Sequence, residues 1–272
     1  MKKWILKIAA FVVALALIAG VGLFANALLG NPVSKALATV QAQQYLSETY
    51  PDKELELERV SYSFKETCYH AYVVQPNLPD GEFTLDFNMW GKLLYDDYED
   101  RVPSGWNTAH RLDTEYRRTV ENLLESSNFP IDSYIGYGEL AFVSRANKDA
   151  PEIPSYAMIT EDLTLGGAYN LGRLGAQAGK LTIYLRDDTV TAERLAEVLL
   201  TIRQAFDDVG VTFHVIDCVL EDEALPDERV EVMDFFYTDI YEENLTERVE
   251  ASDRAAKAYY ALQDEEKMKE TE

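Results

Sequence analysis

From Ile8 to Leu29 the chain carries no ionisable side chain and a single polar one, Asn26. A soluble domain does not expose such a block, and a helix buried in a core rarely lacks a polar face altogether. At about 1.5 Å per residue a helix over this run is roughly 33 Å long. That is enough for a hydrocarbon core of about 30 Å, and more than the roughly 7–15 residue apolar region of a cleavable signal supplies. The run, with Ile8 at its start, Leu17 near its middle and Leu29 at its end, is therefore read as a single-pass helix in the lipid bilayer. Lys2, Lys3 and Lys7 lie on its amino side, so the positive-inside rule keeps them cytoplasmic and makes everything after Leu29 extracytoplasmic. The alternative is secretion, because Ala25-Asn26-Ala27 fits a small-x-small processing site with cleavage after Ala27.

The anchor also locates the chain's charge. Of 272 residues, 25 are Lys or Arg and 48 are Asp or Glu, a net charge of −23. With the three lysines of residues 1–30 set aside, 22 basic residues face 48 acidic ones, so the part beyond the anchor stands at −26. Counterion release on a polyanion needs clustered Lys and Arg, which excludes nucleic acid as a partner and disfavours anionic lipid headgroups. The last 52 residues hold 18 acids and 6 bases, a charge run that reads as a solvated face, and the chain is expected to end in an acidic helical tail.

Beyond residue 30 the chain exceeds a typical single domain, and its patterning divides it into an amino-terminal domain over 31–128 and a carboxy-terminal domain over 129–272. Asn31-Pro32 caps a helix whose apolar stripe is read as Val33, Ala36, Leu37, Val40, Leu46 and Tyr50, stopped by Pro51. Strands follow, through Leu55, Leu57, Tyr62, Phe64, Cys68, Tyr72 and Val74, and again through Phe83, Leu85 and Phe87. Tyr69, opposite in phase to Cys68, is placed on an exposed sheet face where an aromatic ring can anchor a partner. Helical spacing returns with Trp106, Ala109, Leu112, Tyr116, Val120 and Leu123. In the second half, Leu140–Val143, Leu181–Leu185, Val211–Leu220 and Val230–Phe236 read as strands. Thr191–Val209 reads as a helix stopped by Gly210, and Asn244 as the cap of a closing helix. The expected fold class is α+β: a transmembrane helix, then two small α+β domains, each with antiparallel strands packed against helices.

Few groups suggest chemistry. Gly175-Ala176-Gln177-Ala178-Gly179-Lys180 is one residue short of a phosphate loop, has Leu181 where a magnesium-binding hydroxyl belongs, and leads into a strand, so residues 165–180 read as a flexible surface loop. No nucleotide or other cofactor is expected. Asp96, Asp97 and Asp100 form the one metal candidate, a weak calcium site, although the regular calcium-loop spacing is absent and a solvated turn is the favoured reading of them. Cys68 and Cys218 are either a disulfide between the two halves or two buried thiols. A hydrolase assembled from Asp96, Asp97, His70 and Cys68 lacks an orienting third group in the sequence, so no catalytic residue is assigned.

Several stretches together carry a family resemblance: Asn31-Pro32, Tyr45-Leu46, Tyr50-Pro51-Asp52, Val60-Ser61-Tyr62-Ser63-Phe64-Lys65, Tyr95-Asp96-Asp97-Tyr98 and Gly105-Trp106-Asn107-Thr108. These resemble the YfjL-like proteins of Gram-positive bacteria. The resemblance implies a membrane-anchored protein with an amino-terminal and a carboxy-terminal domain and no assigned active site, in which Trp106 and the Tyr-Pro-Asp corner are structural signatures. The resulting expectation is a non-enzymatic extracytoplasmic module that binds a protein partner at the cell envelope. The alternatives are a regulator or inhibitor of an envelope protease and, further off, a hydrolase.

Overall fold

The computed structural model describes residues 2–225 and 228–271. The apolar amino-terminal run is helical throughout, as α1 (Lys2–Leu29). Among the described residues no helix is long and apolar enough to cross a membrane. The side chains of Ile8, Leu23 and Ala27 lie outside the described residues, whereas Leu17 and Leu29 are exposed. The chain divides into two compact units, residues 1–107 and 108–272. This division falls in the first turn of the helix that starts at Trp106, whereas the boundary expected at 128 follows that helix, which contributes Leu112, Tyr116 and Val120 to the core of the second unit.

In the first unit the Asn31 side chain accepts from the Ser34 amide at 2.7 Å and Pro32 takes the first helical position, so α2 (Pro32–Thr49) starts directly behind α1. Its buried stripe is Ser34, Ala38, Ala42 and Leu46, not the expected valines; Val33 and Val40 are exposed. Small residues at four-residue steps let the helix approach a sheet whose own contribution is large and aromatic. That sheet is an antiparallel meander in the order β1 (Glu56–Ser63), β2 (Cys68–Val74), β3 (Phe83–Phe87), β4 (Leu93–Asp96). A bulge between Leu57 and Arg59 shifts the phase of β1, so Leu57 pairs with Val73 and Val60 with Ala71. The buried face is therefore Val60, Tyr69, Ala71, Val73, Phe83, Leu85 and Phe87. Tyr69 is buried rather than exposed, and Cys68, His70 and Tyr72 occupy the opposite face. A short helix, α3 (Tyr98–Arg101), brings the Tyr98 ring against Tyr50 and Phe83.

The second unit begins within α4 (Trp106–Leu124) and contains a sheet in the order β10, β9, β8, β5, from β5 (Ile135–Leu140), β8 (Gly179–Arg186), β9 (Val215–Glu221) and β10 (Arg229–Phe236). β5 and β10 run antiparallel to their neighbours, but β8 and β9 are parallel, a departure from the all-antiparallel expectation. The reason is α6 (Ala192–Val209), which returns the chain to the same end of the sheet. Two further strands, β6 (Phe142–Val143) and β7 (Met158–Ile159), pair with each other. The core sets Leu181, Ile183, Leu185, Ile216, Cys218 and Leu220 of the central strands among Tyr116 of α4 and Leu195, Leu199, Ile202 and Phe206 of α6. The closing helix α7 (Leu245–Thr271) adds Leu245 and Val249.

The glycine-rich stretch is not a loop throughout. Residues 171–178 form α5 (Leu171–Ala178), capped by the Asn170 side chain, which accepts from the Arg173 amide at 2.9 Å. A Cβ at Gly175 would strike the Thr212 carbonyl and the Tyr116 ring, so this glycine records close packing of backbone on backbone rather than flexibility. Gly210, at φ 68°, stops α6 as expected.

Candidate functional site

Strand alternation puts Cys68 and His70 on one face of β2, two residues apart. In the ladder His70 lies opposite Ser61 of β1 and Asp86 of β3. The turn joining β1 to β2 holds Thr67 in the left-handed region, at φ 57°, an unusual conformation for a β-branched residue. The turn sets Glu66 beside the strand it precedes. The outcome is a cluster: Nδ1 of His70 is 2.5 Å from Oδ1 of Asp86, and Nε2 is 2.6 Å from Oε2 of Glu66. The Cys68 Sγ lies 3.9 Å from Nδ1 and 3.8 Å from Nε2.

The electrostatics follow from this geometry. A carboxylate on each ring nitrogen asks His70 to donate from both, which only the imidazolium does. Burial alone would lower the His70 pKa, but the hydrogen bond and charge of Asp86, and then those of Glu66, outweigh it, and the net shift is upward. The Cys68 thiol is pushed up to about 11, first by burial and then by the charges of Asp86 and Glu66. A thiol pKa shifted upward runs against activation as a nucleophile, which needs the pKa lowered. Cys68 and His70 do meet, as a hydrolase requires, but burial, and after it the two carboxylates, shift the thiol pKa upward.

Among the described residues, Glu66, Cys68 and His70 are the group of three potential metal ligands whose atoms all lie within 4.8 Å of one another. Asp96, Asp97 and Asp100 do not form such a group; each serves the fold. Asp96 accepts from the hydroxyls of Tyr45 at 2.9 Å and Tyr50 at 2.7 Å, and from the Tyr98 amide at 2.9 Å. Asp97 accepts from the Thr84 amide at 2.5 Å, and Asp100 accepts from the Tyr95 hydroxyl. The motif residues Tyr50, Asp96 and Tyr98 thus meet in one knot at the end of the meander. Asn107 extends it by donating to the carbonyls of Asp80 at 3.1 Å and Glu82 at 2.6 Å, while Trp106 is half exposed.

Cys68 and Cys218 are both free, buried thiols. Cys218 lies in the core of the second unit, where burial raises its pKa. His214 lies against Tyr156 with ring centroids 4.9 Å apart and planes tilted by 43°, and places Nδ1 3.0 Å from the Ala176 carbonyl oxygen. A second polar cluster in that unit, Lys180 with Asp217 and Asp234 at 2.8 Å each, is fully paired; hydrogen bonds to both acids raise the lysine pKa despite its burial. Two open concavities, about 680 Å³ along residues 124–136 and about 580 Å³ between the end of α2 and β1, contain neither Cys68 nor His70. A third, of about 310 Å³, is lined by Tyr95, Asp97, Asp100, Arg101 and Trp106.

Sequence reasoning named Cys68 and His70 but missed Glu66 and Asp86. Glu66 enters through a turn conformation, and Asp86 through cross-strand register sixteen residues away. The phase of β3 relative to β2 was the one signal that pointed to Asp86.

Residues 1–97 match the model of the YfjL-like N-terminal domain, and residues 115–250 match that of the YfjL-like C-terminal domain. No curated protein and no solved structure matches the chain. With both domain models matched in order over most of its length, the chain belongs to the YfjL-like family.

Proposed function

We propose that this protein is a single-pass, membrane-anchored, extracytoplasmic module that binds a protein partner and performs no chemistry of its own. The observation that carries the reading is the surface of α1. Phe11, Val12, Val13, Leu15, Leu17, Ile18, Val21 and Phe24 are all exposed, and successive members point around the whole helix rather than along one stripe. Apolar side chains exposed on every side of a helix find a favourable solvent only in lipid or in another protein. The lysines at its start favour a cytoplasmic amino terminus. The upward shift of the Cys68 thiol pKa by burial and the carboxylates on both ring nitrogens of His70 support a non-catalytic role.

The test uses the full chain expressed in a Gram-positive host. The protein should stay in the membrane pellet through alkaline carbonate extraction, retain Met1–Leu29 by mass, and lose its acidic portion when intact protoplasts are treated with protease. Release into the soluble fraction, or complete protection from external protease, overturns the reading. A mature amino terminus at Leu28 establishes the secreted alternative instead.

A further inference from the structure

We infer that Glu66, Cys68 and His70 form a binding site for a divalent ion of the zinc class, with Asp86 as the outer carboxylate that orients the histidine. The ligand types are those zinc takes, one thiolate, one imidazole nitrogen and one carboxylate oxygen, and three protein ligands leave the fourth tetrahedral position for water or for a donor from a partner. The bond lengths usual for zinc set the ligand-to-ligand edges at about 3.4 Å for nitrogen to oxygen and about 3.6 Å for sulfur to nitrogen. The observed edges are 2.6 Å between Nε2 and Oε2 and 3.8 Å between Sγ and Nε2. The Sγ–Nε2 edge has about the length a tetrahedral site needs, but Sγ is 3.9 Å from Nδ1 as well, so it has to swing toward the Nε2 side of the ring, and the glutamate has to retreat by less than about 1 Å, which an exposed side chain on a turn does readily.

Two further features fit an ion rather than a structural ion pair. The Asp86 contact on Nδ1 fixes the ring so that Nε2 faces Glu66, the carboxylate–histidine–metal arrangement that recurs behind metal-bound imidazoles. The ligand set also has the right charge: a thiolate and a glutamate neutralise a dication, and histidine binds as the neutral ring. On binding, the metal takes the place of the proton on Sγ and of any proton on Nε2, both of which leave to solvent, while the Nδ1 proton stays in its hydrogen bond to Asp86. The inference does not depend on the membrane reading, because every residue involved lies in the first unit beyond α2.

The experiment uses the full chain in detergent, reduced and stripped with a chelator, then titrated with zinc against a chromophoric competitor and separately with cobalt. The wild type should bind one equivalent of zinc and, with cobalt, develop a thiolate-to-metal charge-transfer band. Cys68→Ser should abolish the band, and Cys218→Ser should leave it intact. Glu66→Gln, an exposed change on a turn that does not threaten folding, and Asp86→Asn should each weaken zinc at least tenfold. No stoichiometric zinc binding at micromolar metal, a band that survives Cys68→Ser, or an unchanged zinc affinity in Glu66→Gln overturns the inference.

Discussion

The Tyr69 hydroxyl accepts from the Asn31 amide at 2.9 Å and donates to the Asn31 carbonyl at 3.3 Å, so one buried side chain of β2 holds both polar groups of the residue that joins α1 to α2. Tyr69→Phe keeps the ring and removes both bonds, taking the hydroxyl away from the Asn31 amide while the Asn31 carbonyl keeps the Lys35 amide at 3.1 Å. A loss of about 1–3 kcal/mol is expected. It should appear as a lower urea midpoint with an unchanged slope, followed by tyrosine and tryptophan fluorescence.

Asp96 receives two tyrosine hydroxyls and one backbone amide, which makes it the acceptor on which the aromatic knot of Tyr45, Tyr50 and Tyr98 depends. Asp96→Ala should destabilise the first unit by on the order of 2–3 kcal/mol, because several donors lose a charged acceptor together. Removing the hydroxyl of Tyr50 as well should add much less than its separate cost, and a double-mutant cycle measures that difference.

Gly175 meets the Thr212 carbonyl where a methyl group would stand. Gly175→Ala therefore forces α5 away from the segment before β9, at a cost of about 2 kcal/mol or more. Gly22→Ala, where an added Cβ meets nothing within 4 Å, should leave the thermal midpoint of the second unit unchanged. Differential scanning calorimetry of the two variants separates the contact from the generic effect of replacing a helical glycine.

Glu231 is buried, and its Oε1 takes no hydrogen bond, with Arg229 3.4 Å away. Burial is the main reason its pKa is raised; Asp253 adds to the shift, and Arg229 and Lys257 oppose it. A carboxyl with a raised pKa binds its proton more tightly in the folded state. Its favourable share of stability is complete below the unfolded pKa, near 4.3 on the usual scale, and is lost as pH rises through the folded value. Glu231→Gln should accordingly raise stability at pH 7, by a fraction of the roughly 1–3 kcal/mol that an unpaired buried polar group costs, and change little at pH 4. A benefit that grows on acidification would contradict the assignment.

The parts of the fold that sequence reveals are those governed by local periodicity. The strand at Leu181–Leu185 and the helix from residue 191 to 209 appear where they were expected, because their spacing, the Thr191 cap and the Gly210 stop act within a few residues. Most of the failures involve partners distant in sequence. The bulge after Leu57 reverses which residues of β1 face α2, and no neighbour of Leu57 signals it. The glycines of α5 suggest a loop, but Gly175 is small to admit Thr212, thirty-seven residues away, and the Tyr116 ring. Half of the candidate site was legible for the same reason: Cys68 and His70 share a strand, whereas Glu66 depends on the backbone of Thr67, and Asp86 on a register set by another strand.

The parallel pairing of β8 with β9 has a consequence for the order in which the chain can be completed as it is synthesised. The first sheet joins only consecutive strands, so once residue 96 has emerged every strand has its neighbour. The second sheet cannot begin so early. β5 emerges first but waits some forty residues for β8, β8 waits for β9 on the far side of α6, and the outer edge closes only when residue 236 arrives. Pairing across long separations is slow because loop-closure entropy is lost before contacts repay it, and unpaired apolar strands are open to wrong partners meanwhile. During synthesis the amino-terminal unit is a finished body while its neighbour is still strand-exposed, which makes the interval between residues 140 and 236 the period in which this protein most needs protection.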